Sequence, residues 1–515
     1  MHQPNQAEYY SISRLRWNTL VFTGGKGINA ALSLSIFALI ASSLSKADFA
    51  IYAWLLAFVE LSTNLSRFGI NWAVDRYVPQ LRSTLNSLAL RRFILTMTAL
   101  RFGVILLMAV VFFWGGEVLL SLSGKEDWIP VFDRYIVILV PFALMTFFRD
   151  VVFQSLLQQV HSQGNTTVRH LIFISVLFAS LLASEELTIE HVIYGDIAAT
   201  IIAATFALLQ LGYLLRQLPY DQAPTSTTMP SWRAISKFAA NSYANEVLRM
   251  SGSGYAVMTA APHLLTTIAL APYGFCQTLF TQLNRFLPAH LFSGLYRPRL
   301  ISQYTKTGSF GALNWQLIVI LKVSNYILAG GIAIFWVYGG EILALLSGGK
   351  YADAHSLMML FIMLMVVDNH RQVLMALCNT IEKVEYLTRA SLFLPLVVPI
   401  AIILVLAGLG TYGMVLALVL ADLCAVGAIV YQLRANGYQL KVDLSGQLRI
   451  AASALAAAVL GMLLHEYHPD SWLWNLAGMA MTGIAFVAIA RVFRPMAEHE
   501  RDTIERMVGR RVYVI

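Results

Sequence analysis

The sequence predicts an all-α polytopic membrane protein of about fourteen transmembrane helices, arranged as two parallel six-helix repeats with two further helices at the C-terminal end. Three observations carry this. Hydrophobic residues make up 58% of 515 and charged residues only 12%, with a mean hydropathy of +0.65. Soluble domains do not carry that balance, whereas chains that live in lipid do. Second, residues 115–124 read GGEVLLSLSG and residues 339–348 read GGEILALLSG, so one ten-residue stretch returns far along the chain. Third, the Lys and Arg residues are split unevenly between alternate loops.

The elements follow from length and hydropathy. About 20 apolar residues cross the bilayer core as a helix. Such runs fall at 19–43, 49–70, 93–114, 131–154, 169–184, 186–213, 236–260 and 264–287. Further runs lie at 314–337, 355–377, 387–409, 411–433, 448–464 and 473–494. The polar stretch before the first run ends in Arg14, Leu15 and Arg16, and the run is longer than a signal-peptide core. An uncleaved first span is expected. With the N-terminus inside, about 26 Lys and Arg fall in inner loops and tails and about four outside, as the positive-inside rule requires. The outer loops are instead acidic, with Glu117, Glu126, Asp127, Glu185, Glu186 and Glu190. Both termini are therefore expected in the cytoplasm. An even number of spans separates the two copies, which makes the repeats parallel. The expected organisation is an N-lobe at 1–213, a cytoplasmic linker at 214–235, a C-lobe at 236–435, and a final pair of spans with a tail at 436–515.

Sliding the chain against itself also aligns ionisable residues. Leu65, Ser66, Arg67 and Phe68 fall on Leu283, Asn284, Arg285 and Phe286. Arg101 falls on Lys322, Arg149 on Arg371, Asp133 on Asp353 and Asp196 on Asp422. Charges within spans are costly, so their return in both copies points to a shared use.

Residues 47–81 read ADFAIYAWLLAFVELSTNLSRFGINWAVDRYVPQL. This stretch resembles the second span and following segment of polysaccharide-type flippases: small residues at its start, Gly69 at its end, and Arg76 with Tyr77 before a proline. SGGKYADAHSLMMLF from Ser347 resembles the start of that family's tenth span. Ala50 stands where relatives commonly carry glycine. The family belongs to the multidrug/oligosaccharidyl-lipid/polysaccharide exporter superfamily. The resemblance implies flipping of an undecaprenyl-diphosphate-linked oligosaccharide from the inner to the outer leaflet of a bacterial cytoplasmic membrane. Partners implied are that lipid-linked substrate, membrane lipids, and a polysaccharide polymerase and chain-length proteins, with no cofactor, metal or nucleic acid.

The residues themselves point to an anionic substrate. Lys26, Arg67, Arg101, Arg149, Arg249, Arg285 and Lys322 lie in spans or at their inner ends. Guanidinium groups suit phosphate oxygens, and a low-dielectric wall strengthens the attraction. The alternative for Arg67, Arg149 and Arg285 is snorkelling to the interface. Lys26, Arg101 and Lys322 lie deeper, and Arg249 has Glu246 three residues before it on the same helix face. Asn64, Asn241 and Asn245 add polar stripes suited to sugars. Glu60, Asp196 and Asp422 are the candidates for ion coupling, against the alternative of internal ion pairs.

Other signals point away from chemistry. Thr23, Gly24, Gly25, Lys26 and Gly27 lack the spacing of a phosphate loop and lie in a span, where their glycines permit close packing or local unwinding. The 11 histidines show no metal-ligand spacing, and no loop is long enough for a nucleotide-binding or glycosyltransferase domain. A drug/cation antiporter would want acidic groups in its cavity, and a membrane-embedded polymerase or ligase a large outer loop.

Overall fold

The computed structural model describes residues 12–83, 87–217, 231–291, 300–301, 304, 307–466, 471–498 and 500–501. Among them the secondary structure is helical throughout. In order, α1 is Ile12–Ser43, α2 Lys46–Leu65, α3 Ile70–Ser83 and α4 Ser87–Leu122. A bent run, α5, spans Glu126–Ser155, followed by α6 (Gln159–Ser184), α7 (Ile189–Gln217), α8 (Trp232–Ser251) and α9 (Gly254–Ala260). Then come α10 (Thr267–Asn284), α11 (Pro288–Leu291), α12 (Phe310–Ser347), α13 (His355–Thr380), α14 (Val384–Ser391) and α15 (Val397–Leu404). The last are α16 (Gly410–Ala435), α17 (Leu444–Glu466) and α18 (Trp472–Phe493).

Among the described residues, ten stretches are long and apolar enough to cross a membrane, or eleven with the bent pair α2 and α3 counted. The expected fourteen is not reached by that measure, for two physical reasons. Residues Val384–Ala435 form one continuous apolar run, although Gly408 (φ 91°) and Gly410 (φ 51°) turn the chain between α15 and α16, which pack on each other. The helices α8 and α10, expected as spans seven and eight, fall short of the measure; α8 carries Asn241, Asn245, Glu246 and Arg249, whose polar groups lower its hydropathy.

The two copies of the ten-residue repeat take the same conformation. Each ends a helix of more than 30 residues, at Leu122 and Ser347. Each ends on a left-handed glycine, Gly124 at φ 62° and Gly348 at φ 61°, where a side chain would be strained. A single 3₁₀ turn follows both. A second shared feature is a broken helix. The chain breaks after Leu65, where α2 and α3 meet at 56°, and breaks again after Asn284, between α10 and α11. These are the two places that the repeat alignment superimposes.

By contacts the chain divides into two compact units: Met1–Met250 with Met258–Ala271, and Ser251–Val257 with Pro272–Ile515. In the first, α3, α4, α5, α7 and Ile235 of α8 enclose a core that includes Val74, Phe93, Phe148, Val152 and Leu211. A separate aromatic cluster joins α2 to α5: Trp54 stacks on Phe58 at 5.2 Å and meets Trp128 at 6.0 Å. In the second unit, α17 and α18 pack on α12 through Ala454, Ala457, Ala458, Phe486 and Ala490. Small residues let these helices approach closely. The last two spans are thus an integral part of the second unit.

Candidate functional site

The break after α2 gathers most of the polar groups of the first unit. Gly69 (φ 74°) lies so close to α8 that a Cβ would fall 2.1 Å from the Ala239 carbonyl oxygen. Both the turn and the approach require glycine. The contact brings α8 alongside the break. Glu246 of α8 is buried, and Arg67 Nη1 lies 3.1 Å from its Oε1. Arg249 Nη2 lies 2.9 Å from Oε2, the i,i+3 pair read from spacing. The Trp72 indole N–H donates to the same carboxylate at 3.4 Å. Two guanidinium groups share one carboxylate, which leaves one positive charge over. Both arginines stay partly open, with side chains 29% and 35% exposed.

Aromatic faces surround this cation. Phe68 stacks on Tyr243 at 4.7 Å, and the Tyr243 hydroxyl donates to the Leu65 carbonyl at 2.6 Å. Phe68 and Trp72 both remain exposed. Arg101 of α4 holds the break from behind. It is fully buried, and its guanidinium donates to the carbonyl oxygens of Ser66 and, at 3.2 Å, Thr63. Helix C-termini leave such carbonyls without partners and carry partial negative charge, so a cation there is favourable. Arg101, one of the candidate cations of the sequence, thus closes a helix end.

The other cations divide by environment. Lys26 sits mid-helix in α1, 4.5 Å from the Phe22 ring centroid. The helix runs unbroken through Gly24, Gly25 and Gly27, so no loop forms, and Gly25 abuts Gln163 of α6. Arg149, in a π-helical turn of α5, forms a bidentate pair with Asp150 at 2.7 and 2.6 Å. Arg285 follows the end of α10 and is exposed. Lys322 is fully buried, and its ammonium meets Asp443 at 2.5 Å and Glu500 at 2.6 Å. Its charge is met by two carboxylates from beyond α16.

Among the polar residues, the Asn64 side chain donates to the Glu60 carbonyl at 2.6 Å and Asn64 is buried. Asn241 is exposed and Asn245 half-buried. Glu60 is half-buried and within Coulombic reach of Arg149. Asp196 is fully buried and saturated: Arg169 lies at 2.5 Å, and the hydroxyls of Tyr135 and Thr200 donate at 2.7 and 3.4 Å.

Asp422 belongs to a different kind of cluster. Arg371 Nε lies 3.2 Å from Asp422 and its Nη2 lies 2.5 Å from Asp368. His290 of α11 lies 3.0 Å from the second Asp368 oxygen, to which the Asn284 amide also donates at 2.8 Å. Two carboxylates face one guanidinium, and the imidazole supplies the remaining positive charge only when protonated. Sequence reading missed Asp368 and His290. The signal for Asp368 was present: it stands three residues before Arg371, the spacing of Glu246 and Arg249.

A family model described as polysaccharide biosynthesis protein matches residues 15–250. A comparison with curated protein sequences returns no significant match. Among solved structures, the fold is similar to that of the lipid II flippase MurJ in an inward closed conformation. The TM-score is 0.62 at 13% identity, over 94% of this chain and 100% of that one. It is also similar to an inward-facing multidrug resistance MATE transporter of the MOP superfamily (TM-score 0.61, 12% identity, 81% and 98% covered). The eukaryotic MATE transporter AtDTX14 matches at 0.59 with 12% identity, over 87% and 99%.

The fold is therefore that of the solved lipid II flippase and MATE transporter structures, and the first part of the chain matches a polysaccharide biosynthesis family model. The matched stretch, residues 15–250, includes Arg76 and Tyr77, around which the sequence resembles polysaccharide-type flippases.

Proposed function

We propose that this chain moves an undecaprenyl-diphosphate-linked oligosaccharide from the inner to the outer leaflet of the cytoplasmic membrane, for O-antigen, capsule or exopolysaccharide synthesis. The observation that carries the reading is the pair of part-exposed arginines, Arg67 and Arg249, sharing the single buried carboxylate of Glu246. The positive charge left over suits a diphosphate, and arginine's fork suits its oxygens. Exposed Phe68 and Trp72 beside it offer flat apolar faces for sugar rings. The cluster also sits at a broken helix, where transporters commonly place their substrate contacts. A cation-exporting antiporter would want the opposite charge there.

Transport is coupled to an ion gradient in this proposal. Asp422, with Asp368, Arg371 and His290, supplies one buried group whose charge balance depends on a proton or cation. Glu60, half-buried near Arg149, is the second candidate; Asp196, saturated by Arg169 and Tyr135, serves structure. Loss of surface polysaccharide on deletion, restored by the wild-type chain and not by Arg67→Gln, is the expected genetic result. Accumulation of the lipid-linked precursor on the inner leaflet distinguishes a flippase defect from a failure of synthesis.

A further inference from the structure

A cavity of about 600 Å³ opens in the second unit between the start of α12, the start of α17 and the segment after α18. Three helix ends, at Phe310, Leu444 and Phe493, border it. It therefore lies at the level where spans leave the hydrocarbon, on the side that the Lys and Arg distribution assigns to the cytoplasm.

Lys441, Arg449 and Arg494 line this cavity, together with Asp443 and Glu500. The two carboxylates are already engaged. Both meet Lys322, Asp443 accepts the Gly446 N–H at 3.0 Å and the Ser445 hydroxyl at 2.8 Å, and Glu500 accepts the Ala497 N–H at 2.8 Å. Gly446 leaves room for this pair, since a Cβ would sit 2.4 Å from the Asp443 carboxylate and 2.6 Å from the Lys322 ammonium. None of the three lining cations forms an ion pair among the described residues; Arg449 donates one hydrogen bond to the Arg494 carbonyl at 3.1 Å. Counting Lys322, four cations face two carboxylates. Beside the cavity, Val442, Leu444 and Leu448 are more than half exposed, so apolar surface begins where the charge ends.

We propose that this cavity binds the phosphate headgroup of a membrane lipid, with Lys441, Arg449 and Arg494 on the phosphate and the acyl chains against the exposed residues of α17. Basic pockets between spans at the cytoplasmic level are suited to anionic headgroups, and the adjoining apolar surface favours a lipid over free phosphate. The occupied site would brace the tail segment that supplies Glu500 to Lys322. Nothing in this requires the Arg67 cluster, so the site and the flippase reading stand or fall separately.

The test is thermal unfolding of the purified full chain in detergent, with dioleoylphosphatidylglycerol or dioleoylphosphatidylcholine added. Phosphatidylglycerol should raise the transition temperature and phosphatidylcholine should not. Lys441→Gln and Arg494→Gln should leave the lipid-free transition in place and each reduce the shift, their combination removing it. Arg434→Gln, at the exposed end of α16, should keep it in full. Native mass spectrometry should show retained phosphatidylglycerol in the wild-type chain and not in the double variant. Undecaprenyl diphosphate tested in parallel identifies the source: a larger shift at equal concentration, lost in the same variants, makes the occupant the carrier lipid. No shift in the wild-type chain, a shift kept in the double variant, or one lost equally in Arg434→Gln would overturn the site.

Discussion

Arg67 and Glu246 stand 179 residues apart in sequence and meet at 3.1 Å. The contact joins the break after α2 to the buried face of α8, and Arg249 completes it on the same carboxylate. Cationic surplus, aromatic faces and an interrupted helix occur together there.

The repeat-matched cations give the first prediction, and the geometry changes what the sequence alone suggested. From spacing, Arg101→Ala with Lys322→Ala is expected to abolish export at normal protein levels. The structure predicts lost protein instead. Arg101→Ala strips the guanidinium from the Ser66 carbonyl, at about 1–3 kcal/mol for a buried group left unpaired, and leaves the Thr63 carbonyl only the Ser66 hydroxyl at 2.8 Å. Lys322→Ala strands a buried Glu500, and breaking a buried pair costs roughly 3–5 kcal/mol. Immunoblots of membranes should show both variants depleted, and Lys322→Met with Asp443→Asn and Glu500→Gln should recover.

The difference shows where sequence reading ends. Spans, the repeat and the Glu246–Arg249 pair were legible, because hydropathy, identity and an i,i+3 step are local patterns. That Arg101 bonds backbone carbonyls was not, since carbonyl acceptors carry no residue signature. Nor was the Lys322 site, because nothing local says that α17 and α18 pack on α12. His290 lies in a single-turn helix beyond a break, with no period to mark it.

A pH effect follows at the start of α17. Burial raises the Asp443 pKa, but hydrogen bonds from Lys322, Gly446 and Ser445 overcome this and hold it at about 2. A folded pKa below the unfolded value gives stability that is complete above the unfolded value, about 3.9. That stability is lost as pH falls through the folded one. Between about pH 4 and 2 the wild-type chain should therefore lose transition temperature more steeply than Asp443→Asn, measured by thermal unfolding in detergent.

Topology is tested by labelling in a cysteine-free background. Glu126→Cys and Glu186→Cys should react with an impermeant maleimide in intact spheroplasts, and Arg216→Cys and Asn436→Cys only after permeabilisation. Reaction of Arg216→Cys in intact spheroplasts would remove the basis for the parallel repeats.

Coupling separates from substrate binding in proteoliposomes. Asp422→Asn should abolish gradient-driven accumulation while downhill exchange survives. Glu60→Gln is the parallel test of the second candidate. His290→Gln, which removes the imidazole 3.0 Å from Asp368, should slow gradient-driven accumulation and leave downhill exchange in place.

The most direct measurement is translocation of a lipid-diphosphate-linked oligosaccharide in proteoliposomes containing this chain alone. The wild-type chain should move it across the bilayer. Arg67→Gln and Arg249→Gln, each leaving Glu246 one arginine, should reach wild-type levels in the membrane and slow translocation roughly ten-fold or more, the loss of one charge-assisted hydrogen bond. Translocation at the wild-type rate in both variants, or export of organic cations and no lipid-linked sugar by the wild-type chain, would contradict the account.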